Sequence, residues 1–273
     1  MSNLPPTLPS GGRPRSAWKA VSVPAEHGGW GLTAEAILLG LLVRPSLVGG
    51  AIGLAALVAF VARTPLKLAA VDRRRRRRLE RSILAERVAA GELALLAAAV
   101  AVAVLTAGPG WWIPIALSLP LFGVELSFDI RSRGRRLVPE LCGAIGMGAV
   151  AAAIAVAGGS PMRLGFALWV ILLARAIASV SYARAQVHRL KRKSQGEGRR
   201  VAVGLQVAAC VIGVTAIGLR GSLWPASAAL AVMAAWHLLS MHRPPVSAKR
   251  VGLLQAAAGL ALVLVTAIAV RAF

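Results

Sequence analysis

Apolar residues fall along this chain in runs of helix length, broken by short polar clusters or by Gly and Pro. The runs cover about residues 27–43, 46–62, 85–107, 111–128, 138–157, 163–183, 201–219, 222–240 and 251–270. A membrane-spanning helix needs roughly 17–25 such residues, so the pattern predicts about nine spans. Arg44-Pro45-Ser46 is the one break between the first two runs. Joined, they would be too long for a single span, so a helical hairpin is expected there. The expected fold is all-α: a polytopic transmembrane bundle in one domain, residues 24–273, behind a flexible basic tail at 1–23.

The placement of charge orients this bundle. Lys and Arg number 32 against 10 Asp and Glu, a net charge of +22. With the N-terminus inside and nine spans, 27 of the cations fall in inside segments and four outside (Arg44, Arg163, Arg220 and Arg271), with Arg175 inside a span. Basic residues near span ends stay on the cytoplasmic side, so an N-in, C-out topology in a bacterial inner membrane is expected. The same clustering between apolar runs argues against a nucleic-acid partner and for membrane lipids. Composition agrees, with 57% hydrophobic residues and a mean hydropathy of +0.70. The N-terminal segment has no apolar core followed by a cleavage site, so no signal peptide is read there. Cys142 and Cys210 lie far apart in apolar runs and are read as small buried hydrophobes. Large basic loops follow spans two and six, a spacing that permits a duplication of four-helix units.

Four clusters carry candidate chemistry. Glu26-His27-Gly28-Gly29-Trp30-Gly31 opens the first span. Glu26 and His27 at its mouth, and Glu35 two turns further in, are candidate acid, base or metal-ligand groups, because titratable groups in a membrane are costly unless hydrated or paired. Glu35 is expected to pair with an arginine or to line a polar cavity. Trp30 suits either an interface anchor or a ligand contact. Around Arg63-Thr64-Pro65-Leu66-Lys67, the cations Arg63 and Lys67 are four apart at the exit of the second span and suit a phosphate or carboxylate. Asp72 precedes the six arginines 73–78, which read chiefly as an orienting and headgroup-binding signal.

The third cluster holds Glu125 and Asp129, also four apart, offering oxygen ligands to a divalent cation such as magnesium. A salt bridge to neighbouring arginines competes with that reading. Glu140 opens the fifth span and needs an inward-facing partner. In the fourth cluster Arg175 sits mid-span, which marks it as functional by default. Tyr182 is seven residues on and shares its stripe, but Arg175, Tyr182, Gln186 and Arg189 are not read as all sharing one. Arg184 joins Arg175 as a candidate anion ligand, and His188 is expected to be solvated. His237, His242, Gln206 and Gln255 read as isolated, with interhelical hydrogen bonds sufficient to explain them.

The opening Pro24-Ala25-Glu26-His27-Gly28-Gly29-Trp30-Gly31 resembles the EHG[AG]W signature of YwiC-like bacterial membrane proteins. Arg63-Thr64-Pro65, Arg136 to Glu140 and Arg175 to Arg184 are similar to other polar segments of that family, which has no settled activity to carry over. More broadly the chain resembles UbiA-type intramembrane prenyltransferases. That likeness implies nine helices and aspartate-rich motifs after helices two and six that bind magnesium and a prenyl diphosphate. Here Asp72 stands alone after helix two, and Arg184 with His188 and no DxxxD follows helix six.

The resulting expectation is a UbiA-like bundle that binds or modifies a lipidic anionic ligand, such as an isoprenoid diphosphate, at the cytoplasmic face. Any enzyme activity would be transferase-like without the usual aspartate motifs. The competing readings are a small-anion transporter coupled to protons through Glu35 and Glu140, and a non-catalytic membrane scaffold.

Overall fold

The computed structural model describes residues 18, 21, 24, 27–76, 79–131, 136–191 and 195–272, with only the backbone of His27 and of residues 195–197. Glu26, Arg133, Arg135 and most of the 1–23 segment therefore lie outside the described residues, as does the side chain of His27.

Nine long helices account for nearly all of the described residues, and these include no strand: α1 (His27–Val43), α2 (Leu47–Arg74), α3 (Glu80–Thr106), α4 (Trp112–Ile130), α5 (Leu137–Ala157), α6 (Met162–Leu190), α7 (Gln195–Leu219), α8 (Trp224–Ser240) and α9 (Ala248–Ala272). Eight are long and apolar enough to cross a membrane, and α1 is a shorter apolar helix. Their outer faces are apolar as well: Leu47, Leu105, Val232 and Ile268 are each at least 65% exposed. Such a surface would be untenable in water over this area, whereas in lipid it is matched by its solvent. The chain is a multi-pass membrane protein.

Arg44-Pro45-Ser46 does make the hairpin expected of it. Pro45 cannot continue α1, and the Ser46 hydroxyl accepts the Gly49 N–H at 3.0 Å to cap α2. Two helices run further than the apolar pattern indicates. α2 continues through Arg63 and Pro65 to Arg74, and α6 runs on to Leu190. Arg63 and Lys67 therefore sit inside a helix, not at its exit. At 28 and 29 residues these helices are about 42 Å long, which carries their last turns beyond the roughly 30 Å hydrocarbon layer.

α5 and α6 form the centre. α5 buries an almost unbroken run from Gly146 to Ala155, and α6 buries most positions from Leu164 to Gln186. α1, α2, α4 and α6 pack on α5, while α5, α7, α8 and α9 pack on α6. α3 packs chiefly on α2. Cross-chain bonds group the loops at two ends. At the basic end Arg74 reaches the Ile130 carbonyl, Arg189 the Arg243 carbonyl and Arg199 the His242 ring. At the opposite end Arg44 Nε donates to the Gly158 carbonyl at 2.8 Å and Arg163 Nη2 to the Gly218 carbonyl at 2.8 Å.

Candidate functional site

Within the bundle, α1, α6, α7, α8 and α9 bring Glu35, Arg175, Gln206, His237 and Gln255 together where the surrounding helices exclude solvent. Arg175, in the middle of α6, is 1% exposed. Its Nη2 lies 3.1 Å from Glu35 Oε1 on α1 and donates at 2.6 Å to the Gln255 carbonyl on α9. Its Nη1 donates to Gln255 Oε1 at 3.1 Å. Glu35 is thus paired with an arginine, as expected. Arg175 has its charge compensated by Glu35 and both terminal nitrogens engaged.

The bonds propagate in one direction. Gln255 Oε1 accepts from Arg175, so its Nε2 is the donor toward His237 Nε2, 2.7 Å away on α8. That makes His237 Nε2 an acceptor and puts the ring proton on Nδ1, which faces Gln206 Oε1 at 3.0 Å on α7. Gln206 Nε2 then donates to the Ala178 carbonyl at 2.8 Å and to Ser181 Oγ at 3.1 Å, returning to α6. His237 is neutral in this arrangement, since a proton on Nε2 would face the Gln255 amide hydrogens. Tyr182 stacks on the imidazole with centroids 4.2 Å apart and planes 10° apart, and its hydroxyl accepts from Ser240 at 3.0 Å. Two atoms of the network have no hydrogen-bond partner among the described residues: Glu35 Oε2 and Arg175 Nε.

Sequence spacing missed this assembly in two ways. Gln206, His237 and Gln255 do make the interhelical hydrogen bonds expected of them, but as successive members of one network and not in isolation. Gln186 and Arg189 do belong to the Arg175 stripe. Steps of four, seven, eleven and fourteen residues from Arg175 return to within about 40° of one helical line at 3.6 residues per turn. Ser179, Tyr182 and Gln186 are accordingly buried, and Arg189 donates to Gln186 Oε1 at 3.2 Å. A polar seam runs down α6 from mid-helix to the basic end.

Gly259 on α9 makes room for the central pair. A Cβ there would overlap the Glu35 carboxylate and stand 2.8 Å from Arg175 Nη2. Only a residue without a side chain lets α9 close over these charges.

A second polar group ties helices at the basic end. Arg63 on α2 contacts Glu125 Oε1 at 2.6 Å and Asp129 Oδ2 at 2.7 Å on α4, and Lys67 Nζ meets Asp129 Oδ1 at 3.0 Å. The i,i+4 spacing on each helix puts two cations and two anions face to face. Glu125 rests against α5 where Gly143 leaves space, because a Cβ there would overlap its carboxylate. Glu140 finds its inward partner in Arg184 Nη1 at 2.9 Å. Asp72 accepts from Ser82 Oγ at 2.7 Å and pairs with Arg81, clamping the α2–α3 turn away from the other candidates. Trp30 donates to the Pro24 carbonyl at 3.2 Å and meets Phe60 edge-on at 5.1 Å, fastening the start of α1 to α2.

The carboxylates present do not fit magnesium. Among the described residues no three His, Cys, Asp or Glu side chains converge on one point, and the oxygens of Glu125 and Asp129 face Arg63 and Lys67. The cationic groups take the place that a divalent ion would need, so the expected metal pair is a salt-bridge cluster. Cys142 and Cys210 are unpaired and partly exposed, not buried as expected. Glu92, which the apolar pattern passes over, lies mid-way along α3 on the stripe of Ser82, Ala85, Ala89, Ala99 and Ala103 that packs against α2. Its Oε2 is buried without a partner.

No curated protein and no solved structure matches this chain. A family model described as YwiC-like protein matches residues 23–155, from the Glu26-His27-Gly28-Gly29-Trp30 segment through Glu35 and the Arg63–Asp129 cluster to near the end of α5. The match stops short of α6, so Arg175, Tyr182 and Arg184 lie beyond it. Over residues 23–155, just under half of its length, this chain is similar to the YwiC-like family.

Proposed function

We propose that this protein, placed in the bacterial inner membrane with its basic end toward the cytoplasm, binds or modifies an anionic amphiphile through that end. The observation that supports this most is the α6 seam from Arg175 through Ser179, Tyr182 and Gln186 to Arg189. Polar side chains at membrane depth are expensive and are kept where they line a ligand or ion route. This one leads from the buried Glu35–Arg175 pair to the basic end of the bundle, which also carries Arg184, Arg63 and Lys67, whose side chains are 25–37% exposed. The carboxylates of Glu140, Glu125 and Asp129 pair with those cations, and a phosphate or diphosphate can take over the same donors. Guanidinium forks suit such an exchange because they bind carboxylate and phosphate with one geometry. The acyl or prenyl tail would lie along the lipid-facing helices. Ligand recognition then rests on Arg63, Lys67 and Arg184, with Arg175 as a positioning residue.

The test is mass spectrometry of lipids retained by purified protein. Wild type should carry a phosphorylated or otherwise anionic amphiphile, lost from the Arg63→Ala/Lys67→Ala variant and retained by Arg271→Gln, at the opposite end. No retained species in the wild type would overturn the reading and leave the scaffold role standing.

Proton-coupled transport of a small anion is a second reading, favoured by Glu35 Oε2, which is buried without a partner beside a guanidinium. In proteoliposomes loaded with a pH-sensitive dye it predicts anion-driven proton flux that Glu35→Gln abolishes. Binding without flux would exclude it.

A further inference from the structure

We propose a second anion site, at the end of the bundle opposite the basic loops, that takes the phosphate group of an anionic phospholipid or free phosphate. A cavity of about 320 Å³ opens there between the start of α6 and the α7–α8 connection, lined by Pro161, Arg163, Leu164, Leu219, Arg220 and Gly221. Its size is that of a small-molecule pocket. Two guanidinium groups share its wall.

Among the described residues neither pairs with a carboxylate. The ten acidic residues are Glu26, Glu35, Asp72, Glu80, Glu86, Glu92, Glu125, Asp129, Glu140 and Glu197. Those whose side chains are described stand in basic-end segments or in the interior of a helix, away from this end. The one hydrogen bond each guanidinium makes is to a neutral acceptor: Arg163 Nη2 to the Gly218 carbonyl at 2.8 Å, and Arg220 Nε to Ser222 Oγ at 3.1 Å. A guanidinium carries five N–H donors, so most of the donor capacity of both remains for a ligand. These bonds also hold the two side chains in place before any ligand arrives, which lowers the entropy lost on binding.

The backbone contributes in the same sense. α6 begins at Pro161–Met162 with no side-chain cap, so its first-turn N–H groups add partial positive charge beside Arg163. The four cations of this end are not equivalent. Arg44 is tied to Gly158 and Arg271 stands on the last turn of α9, whereas Arg163 and Arg220 face one cavity. Two arginines converging here, with no described carboxylate beside them, call for an anion from outside. The leaflet surface supplies one in the phosphate of its lipids, and Leu164 and Leu219 would meet the glycerol and first acyl carbons.

The experiment uses full-length protein in nanodiscs of mixed phosphatidylglycerol and phosphatidylcholine, read by native mass spectrometry, with a parallel thermal-shift titration of inorganic phosphate in neutral detergent. Wild type should retain phosphatidylglycerol selectively, and Arg163→Gln/Arg220→Gln should weaken that retention by roughly tenfold or more, as expected for two lost cation–phosphate contacts. Arg271→Gln removes a charge from the same end outside the cavity and should leave retention unchanged. A thermal shift by phosphate in wild type, absent from the double variant, would assign the site to the free ion instead of the headgroup. Lack of both selective retention and phosphate stabilisation in the wild type overturns the proposal whether or not the variants fold. Equal losses in Arg271→Gln and the double variant would also overturn it, because general surface charge would then suffice.

Discussion

Removing Glu35 alone should destabilise the bundle far more than removing Glu35 and Arg175 together. Glu35→Leu leaves Arg175 at 1% exposure with its guanidinium held only by the Gln255 carbonyl at 2.6 Å and Gln255 Oε1 at 3.1 Å. A buried ion that loses its only counter-charge costs about 3–5 kcal/mol, whereas replacing both partners with apolar groups of similar volume is often neutral. Arg175→Met alone strands the Glu35 carboxylate, which has no other hydrogen-bond partner, and should cost a similar amount. The double variant Glu35→Leu/Arg175→Met should come within about 1 kcal/mol of wild type, after the Gln255 acceptors lose their donor. The coupling in the cycle is then several kcal/mol, opposite in sign to the single losses. In neutral detergent, with unfolding followed by Trp fluorescence, each single change should lower Tm by roughly 6–20 °C at 2–4 °C per kcal/mol. If the singles cost less than about 1 kcal/mol, or if their costs add in the double variant, the two groups are not a buried pair.

Gly259→Ala should reproduce much of that single-variant loss without touching a charge, because its Cβ would occupy the place of the Glu35 carboxylate; a Tm equal to wild type would show that α9 does not close over the pair. Asp129→Ala should cost about 1–3 kcal/mol, since one buried carboxylate holds both Arg63 and Lys67. In an Asp129→Ala background Lys67→Ala should cost little further, and an undiminished second loss in urea unfolding would mean that Lys67 is held by something else. Glu92→Gln should raise Tm or leave it unchanged, because Glu92 Oε2 lies buried without a partner among the alanines of α3 and ionised carboxylates are costly at membrane depth; a fall of several degrees would reveal a partner for the carboxylate.

Nine helices and the hairpin at Arg44-Pro45-Ser46 were legible from residue order alone. Helix in lipid is enforced locally: every backbone donor must find its acceptor within the segment, so an apolar run of sufficient length has little choice. The ends of α2 and α6 were not legible in that way. Once a helix leaves the hydrocarbon layer its composition turns polar while its hydrogen bonding continues, so hydropathy marks the membrane and not the helix. Glu140 announced the need for an inward partner, and Glu35 announced a need for an arginine, because a lone charge at those depths is untenable. Neither residue could name Arg184 or Arg175, which are 44 and 140 positions away along the chain.

Tertiary structure alone decided what the polar residues do. The chain order separates Glu35, Arg175, Gln206, His237 and Gln255 onto five helices, and their contact depends on the rotation of each helix about its axis. That rotation is set by small-residue packing such as Gly259 against the ion pair, a term that hydropathy averages away. The same holds for Glu125 and Asp129: spacing put both on one face of α4, but the facing helix brought Arg63 and Lys67, and so made an ion-pair cluster where the spacing admitted a metal. Length and polarity are properties of a segment and can be read from it. Partnership is a property of two surfaces, and it exists only after they have packed.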